Sequence, residues 1–370
     1  MLPSPPLWLV LLAFLCALGP LVFFHELGHY LVARLFGIPA ETFSIGFGHE
    51  IVGWTDRQGT RWKVGWLPLG GYVKFVGDMS PASDPAELEN IPADLRDHAF
   101  QLRPVWQRFL VVLAGPVANF LMAILIFAAI FMTLGGPSTN VVGSVFPNSA
   151  AASAGIHPGD RILSVEGKSV ANFSDVQPIV FARPGQTVLV RFERGTEIRQ
   201  ASVRLASEEV ADPFGHRLKR GLLGNTPARS SVPRAFAEAG RTTWVITRSM
   251  VSGIVEMARG QVSTKEIGGP IRIAQIAGQG ASLGALPFIQ LVALLSINLG
   301  FINLLPVPML DGGHLFFYGV EALRRRPLSA RALEWAFRGG LAVILALVLF
   351  TTVNDLSSLG LWDRLQRLIG

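Results

Sequence analysis

The sequence is short of cysteine, of charge and of lysine, and each shortage excludes a class of protein. Its only cysteine is Cys16. A disulfide framework and a thiol-ligated metal site are therefore both excluded. Charged residues make up 16% of the 370 positions, where a soluble domain carries roughly 25%. Half of the residues are hydrophobic, which excludes a disordered chain. Lysine accounts for only 5 of the 32 basic residues. The net charge of +6 is thus an arginine excess. Membrane topology accounts for it better than an acidic partner does, and no nucleic-acid partner is expected.

What the sequence does have is long uncharged runs. A membrane span needs roughly 20 apolar residues. Leu7 to Phe24 carries no charge and the run continues to about Phe36. Phe109 to Leu134 and Leu283 to Leu310 are also uncharged. A fourth run, Gly339 to Val353, reaches span length only if Glu334 and Arg338 sit at the interface. No Lys or Arg precedes Arg34 and no A-x-A site follows the first run. It therefore reads as an uncleaved span rather than a signal peptide. Arg324, Arg325, Arg326 and Arg331 between the third and fourth spans put that connection in the cytoplasm by the positive-inside rule. Counting back, residues 37–108 are cytoplasmic, and 135–282 and the N-terminus lie outside.

The first span ends in His25-Glu26-Leu27-Gly28-His29. Residues i and i+4 share one face of a helix, so the two imidazoles can converge on one metal ion. Glu26 beside them can act as general base toward a water at that metal. With 7 His and 15 Glu in the chain, about 0.005 H-E-x-x-H matches are expected by chance. Two histidines and a glutamate in an apolar helix are also costly unless they have a role. A catalytic zinc takes three protein ligands and keeps one position open.

Near the third span the chain reads Asn303-Leu304-Leu305-Pro306-Val307-Pro308-Met309-Leu310-Asp311-Gly312-Gly313-His314. Asp311 is the only carboxylate between Glu266 and Glu321. The two prolines put irregular backbone at membrane depth, which is tolerated only in a protein interior or a cavity wall. Leu7 to His25 spans roughly 27 Å of helix, and Pro287 to Asp311 roughly 36 Å or less. Both motifs then lie near the cytoplasmic side. His314 is a rival third ligand.

HELGH at the end of a first span and NLLPVPMLDGG after a third resemble the site-2 protease family of intramembrane zinc metalloproteases, most closely its bacterial regulator-of-sigma-E branch. The resemblance implies His25, His29 and Asp311 as Zn2+ ligands and Glu26 as catalytic base. It implies Asn303 as a residue that positions the substrate or the oxyanion. Gly115-Pro116-Val117-Ala118-Asn119 in the second span matches a further family segment that packs near the site, where small residues allow close helix approach.

Between the first two spans lie Thr42-Phe43-Ser44-Ile45-Gly46-Phe47-Gly48 and Lys63 to Lys74. The second stretch is apolar and β-prone around Pro68-Leu69-Gly70 and reads as a hairpin. It is too short to cross a membrane. It resembles the family's re-entrant hairpin, which presents an edge strand to substrate through residues matching Val64, Gly65, Leu67, Gly70, Gly71, Tyr72 and Val73. A helical peptide bond is shielded from attack, so a substrate must be held extended, and an exposed strand edge supplies partners for its backbone. Residues 78–103 read as a polar linker.

Residues 138–207 read as a compact domain. The stretch Ala154-Gly155 to Gly167, with Gly159-Asp160 and Ile162 inside it, resembles a PDZ domain of bacterial protease type. Such a domain binds extended peptides by strand addition. A steric plug over the entrance is the other reading, and residues 208–225 add a trailing hairpin. Asn172 is placed to cap the helix that follows. Residues 232–262 have helical apolar spacing interrupted by Arg241, Arg248, Glu256 and Arg259, as in an interfacial amphipathic helix.

The expected architecture is a polytopic α-helical membrane protein with four transmembrane helices, a membrane-associated β-hairpin and an inserted extracytoplasmic PDZ domain. The expected boundaries are 1–36, 109–136, 283–314 with the LDGG motif, and 331–354 for the helices. The cytoplasmic segment is 37–108, with its hairpin at about 60–77. The PDZ domain and trailing strands cover 138–226, the interfacial region 227–282 and the tail 355–370. The implied activity is zinc-dependent cleavage of transmembrane segments, such as those of anti-sigma factors or remnant signal peptides, already trimmed outside, in a bacterial inner membrane. The partners are such membrane proteins, the bilayer and a peptide ligand of the PDZ domain. The alternatives are a non-catalytic PDZ-bearing scaffold with a structural metal, and a zinc carrier. A carrier would spread its polar groups along a path, whereas here they cluster at one depth.

Overall fold

The computed structural model describes residues 5–77, 96–211, 217–261 and 268–358. Most of the linker read at 78–103 and of the tail read at 355–370 lies outside these residues. In chain order the described elements are α1 (Leu7–Leu35), β1 (Ala40–Thr55), β2 (Arg61–Phe75), α2 (Val105–Leu134), β3 (Val142–Val145), α3 (Ala150–Ser153), β4 (Arg161–Val165), β5 (Lys168–Ser169), α4 (Phe173–Phe181), β6 (Thr187–Arg194), β7 (Glu197–Arg204), β8 (Ala206–Ala211), β9 (Arg217–Leu222) and β10 (Asn225–Pro227). They continue with α5 (Val232–Ala258), α6 (Pro270–Ser282), α7 (Ala285–Asn303), α8 (Asp311–Arg324) and α9 (Ala330–Ser358). Four of the helices, α1, α2, α7 and α9, are long and apolar enough to cross a membrane, at roughly 1.5 Å of rise per residue.

The third apolar run is not helical to its end. Helix α7 stops at Asn303. Pro306 and Pro308 have no N–H to give to a helix. The chain turns through 304–310, with Met309 at φ 82°, and starts again as α8 at Asp311. Of the four arginines between the third and fourth spans, Arg324 ends α8, Arg325 and Arg326 lie in the connection after it, with Arg325 in the left-handed region at φ 52°, and Arg331 is in the first turn of α9.

The β structure after α1 differs from the expected hairpin. Its tight turn is at Asp56–Thr60, where the Asp56 carboxylate accepts the N–H groups of Gln58 and Thr60 at 2.8 and 3.0 Å. The chain does reverse around Pro68–Gly70, but the two legs do not pair with each other. Residues 61–64 lie on one side of Thr42–Ile45 and residues 71–74 on the other. The outer half of β1, 50–55, pairs antiparallel with 61–65. Four segments therefore lie in the order 50–55, 61–65, 42–45, 71–75, and 71–75 is the outermost among the described residues. Tyr30 and Ala33 of α1 pack with Phe43, Phe75, Phe100 and Val111 in one buried cluster. Trp62 stacks on Phe43 with ring centroids 4.2 Å apart. These aromatic contacts fix the sheet to the last two turns of α1.

The chain divides into two compact units. One runs over Ile124–Val245. It contains the sheet β5-β4-β6-β7 and the pairs β3–β10 and β8–β9. Its core is built by alternation: Val188, Val190 and Phe192 of β6 are buried while their neighbours are exposed, the period-2 pattern of a strand with one wet face. Asn172 occupies the N-cap of α4, and Asp175 accepts the Asn172 N–H at 3.0 Å. Asp160 is buried and accepts two guanidinium hydrogen bonds from Arg194 at 2.7 Å and the His157 N–H at 2.8 Å, while Arg194 also donates to the Gly155 carbonyl. The other unit combines the chain up to Ala123 with the chain from Ile246 onward. It carries the histidine motif, the sheet 40–75 and α6 to α9.

Candidate metal centre

Residues 25 and 29 fall on one face of α1, and both histidines and Glu26 between them are 8% exposed. Asp311 arrives from 282 residues away, on the first turn of α8, where a carboxylate suits the positive end of the helix. His25 Nε2 and His29 Nε2 are 3.3 Å apart. Asp311 Oδ2 is 3.1 Å from the first and 3.6 Å from the second. Tetrahedral zinc with bonds of about 2.05 Å separates its ligand atoms by about 3.3 Å. All three distances match that spacing. Asp311 Oδ2 is also buried with no hydrogen bond of acceptable geometry. An orphaned carboxylate oxygen facing two imidazoles is what a cation would satisfy. The donor set of two nitrogens and one carboxylate oxygen suits zinc.

Both rings are aimed from α2. His29 Nδ1 lies 2.9 Å from the Val111 carbonyl, so that nitrogen carries the proton and Nε2 is free. The ring can come this close because residue 115 is glycine. A Cβ there would overlap the His29 imidazole. His25 Nδ1 lies 3.1 Å from the Asn119 side-chain amide. The small residues of 115–119 signal close helix approach, but nothing in their spacing states the contact from Asn119 to a ring. A buried Asn in an apolar helix was the available signal.

The cluster opens on a cavity of about 630 Å³. Asn303, at the end of α7, stands with Nδ2 3.3 Å from His25 Nε2. Gly70, Gly71, Tyr72 and Val73 of the edge strand line the cavity, whereas Val64, Gly65 and Leu67 do not. The first two of those pair inside the sheet, against Ile45, Val52 and Glu50, and Leu67 pairs with Phe47. His314 reaches the cavity wall, but the group placed to hold a metal ion among the described residues is His25, His29 and Asp311. The His314 ring packs instead at 5.1 Å from that of Phe337.

Two histidines and a carboxylate on apolar helices, with an acid–base residue beside them and an open cavity in front, define a membrane metallohydrolase. The sequence profile of Peptidase family M50 matches residues 13–347. A protein of Agrobacterium fabrum named "Putative zinc metalloprotease Atu1380" is 44% identical over 358 residues, covering 94% of this chain and 95% of its own. "Metalloprotease MmpA" of Caulobacter vibrioides is 37% identical over 380 residues, covering 94% and 96%. A PDZ domain from Listeria monocytogenes aligns with 24% of this chain and 85% of its own at 22% identity and a TM-score of 0.20, too slight a likeness to argue from. The chain belongs to Peptidase family M50, the site-2 proteases, and is a zinc-dependent metalloendopeptidase.

Proposed function

We propose that the chain cuts peptide bonds within the transmembrane segments of other membrane proteins. One observation carries the reading. The ligand cluster, Glu26 and Gly70–Val73 on the outermost described segment of the sheet meet at one cavity flanked by span-length helices. A soluble peptide would need no strand edge at that depth. A transmembrane helix must unwind before attack, and its freed backbone groups need partners.

In this reading His25, His29 and Asp311 hold the ion. When bound, zinc supplies Lewis-acid chemistry that activates water and polarises a carbonyl. Glu26 takes the proton from the attacking water as its oxygen adds to the carbonyl carbon. Asn303 Nδ2 donates to the oxyanion that develops. The C–N bond then breaks, and Glu26 returns the proton to the leaving nitrogen, giving a carboxylic acid and an amine, between which the remaining water proton then passes. Gly70, Gly71, Tyr72 and Val73 align the extended substrate. Val64, Gly65 and Leu67 serve it indirectly, by building the sheet that this edge belongs to.

The arginines at 324–326 support a cytoplasmic placement of the α8 end in a bacterial inner membrane, with the β3–β10 unit outside as a PDZ-like domain that admits or filters substrates. Helix α5, with exposed Trp244 and Val251 interspersed with Arg241 and Arg248, fits the interface. Anti-sigma factors and remnant signal peptides trimmed on the outside are substrates of suitable form. The test is a single-span reporter in proteoliposomes, its fragments mapped by mass spectrometry. Cuts inside the apolar segment by the parent, and none by Glu26→Gln, are expected. Cuts confined to the flanking soluble sequence would overturn the reading.

A further inference from the structure

Asn119 is fully buried in α2. Its amide Nδ2 lies 3.1 Å from His25 Nδ1, and its Oδ1 has no partner. Packing between helices does not require this side chain. The hydrogen bond that joins α2 to α7 here, from Ser296 Oγ at 2.8 Å, goes to the backbone carbonyl of residue 119, which any amino acid provides. A half-satisfied amide in an apolar interior is unfavourable, so its one contact needs a purpose.

That purpose follows from which ring nitrogen faces the other ligands. His25 Nε2 is the atom 3.3 Å from His29 Nε2 and 3.1 Å from Asp311 Oδ2. To bind an ion it must present a lone pair, and a neutral imidazole then carries its proton on Nδ1. The group facing Nδ1 must therefore accept. An amide's oxygen and nitrogen have the same outline, so the contact geometry admits either. Only the oxygen matches a coordinating His25. With the amide NH2 turned to Nδ1, the proton would sit on Nε2 and block the ligand position.

We propose that Asn119 is a positioning residue whose amide oxygen accepts the Nδ1–H of His25, fixing the tautomer that frees Nε2 for zinc. The same helix treats His29 alike through the Val111 carbonyl. Helix α2 therefore orients both rings, one with a backbone oxygen and one with a side-chain oxygen. This rests on His25 being a ligand.

The experiment measures the zinc affinity of the purified full chain in detergent, by competition with a chelating indicator at neutral pH. It uses the parent, Asn119→Ala, Asn119→Asp and His25→Ala. Loss of the partner of a ligating histidine weakens a metal by about 10–100-fold, and that loss is expected for Asn119→Ala. Aspartate has the same outline and accepts without donating, so Asn119→Asp should bind within about threefold of the parent or more tightly. Unfolding temperatures of the chelator-treated forms separate this from a packing defect. Parental affinity in Asn119→Ala, or equal weakening in Asn119→Asp, overturns the proposal. If Asn119→Ala does not fold, tenfold weakening in Asn119→Asp overturns it alone. Equal zinc binding by the parent and His25→Ala would instead refute the ligand assignment.

Discussion

Gly71 lies against Glu26. A Cβ at position 71 would stand 3.2 Å from Glu26 Cγ, 2.7 Å from Val22 Cγ1 and 2.6 Å from the Ser44 carbonyl oxygen. The edge strand therefore runs directly over the helix that carries the base, with no room for a side chain between them. Gly71→Val should force 71–75 outward and lower kcat/KM by about tenfold or more, since small misplacements of substrate reduce rates steeply. Zinc content should not change. Parental kcat/KM in that variant would show that the edge does not align substrate.

Glu26→Gln keeps the outline of the side chain and removes its basicity. General acid–base catalysis contributes about 10²–10⁴-fold, so the cleavage rate should fall by at least that range. Zinc, measured by atomic absorption, should stay near the parental ratio. A variant that cuts at the parental rate would rule out Glu26 as the base.

Asp311→Asn and His314→Ala separate the two rival ligands. The first should lose most of the bound zinc, because a neutral amide is a poor replacement for the carboxylate. The second should keep it, since the His314 ring packs against Phe337. The reverse result, read by metal analysis of the purified proteins, would exchange their roles.

Arg108 donates to Glu321 at 2.8 Å with its side chain 9% exposed, and its guanidinium lies 4.9 Å from the Tyr318 ring centre. This pair ties α8, ten residues beyond Asp311, to the start of α2. Glu321→Ala would leave Arg108 buried and unpaired, a loss of about 2–3 kcal/mol once its partial solvent access is allowed for. A lower unfolding temperature and weaker zinc binding are expected together. An unchanged unfolding temperature would contradict this.

Burial works to raise the Asp160 carboxyl, but the Arg194 hydrogen bonds and the His157 N–H outweigh it and hold it below the usual range. The folded value is thus depressed relative to an unfolded value of about 3.9. Its contribution to stability is complete above roughly pH 5 and is lost as pH falls through the folded value. Asp160→Asn should destabilise the 124–245 unit at pH 7, with a smaller difference from the parent at pH 3. Hydrogen exchange of the full chain, followed in β4 and β6, measures this. An equal difference at both pH values would show that the ion pair is not the cause.

The sequence carried the metal centre unusually far. The His25–His29 pair is local geometry: four residues on a helix put two rings on one face whatever surrounds them. The four apolar helices were legible because bilayer thickness imposes a length that composition records. The break after Asn303 was legible because proline cannot donate a backbone hydrogen bond. Helix α8 was not, because its apolar spacing was masked by glycines at its start and arginines at its end.

Strand pairing was the least legible part. Pro68-Leu69-Gly70 reads as a hairpin turn because turn chemistry is local. Whether the two legs meet each other or embrace Thr42–Ile45 depends on which edges are free, and no residue pattern states that.

The sequence by itself determined the spans, the break after the third of them and the placement of His25 and His29 on one helical face beside Glu26. Each follows from the helical repeat, from backbone chemistry or from the energetic burden of charge in an apolar setting. Only the tertiary structure decided that Asp311 closes on the two imidazoles at zinc-ligand spacing, that Gly71 lets the 71–75 edge reach Glu26, and that Asn119 faces His25. Those are distances between segments tens to hundreds of residues apart, and they are set by how helices and strands pack rather than by any pattern along the chain.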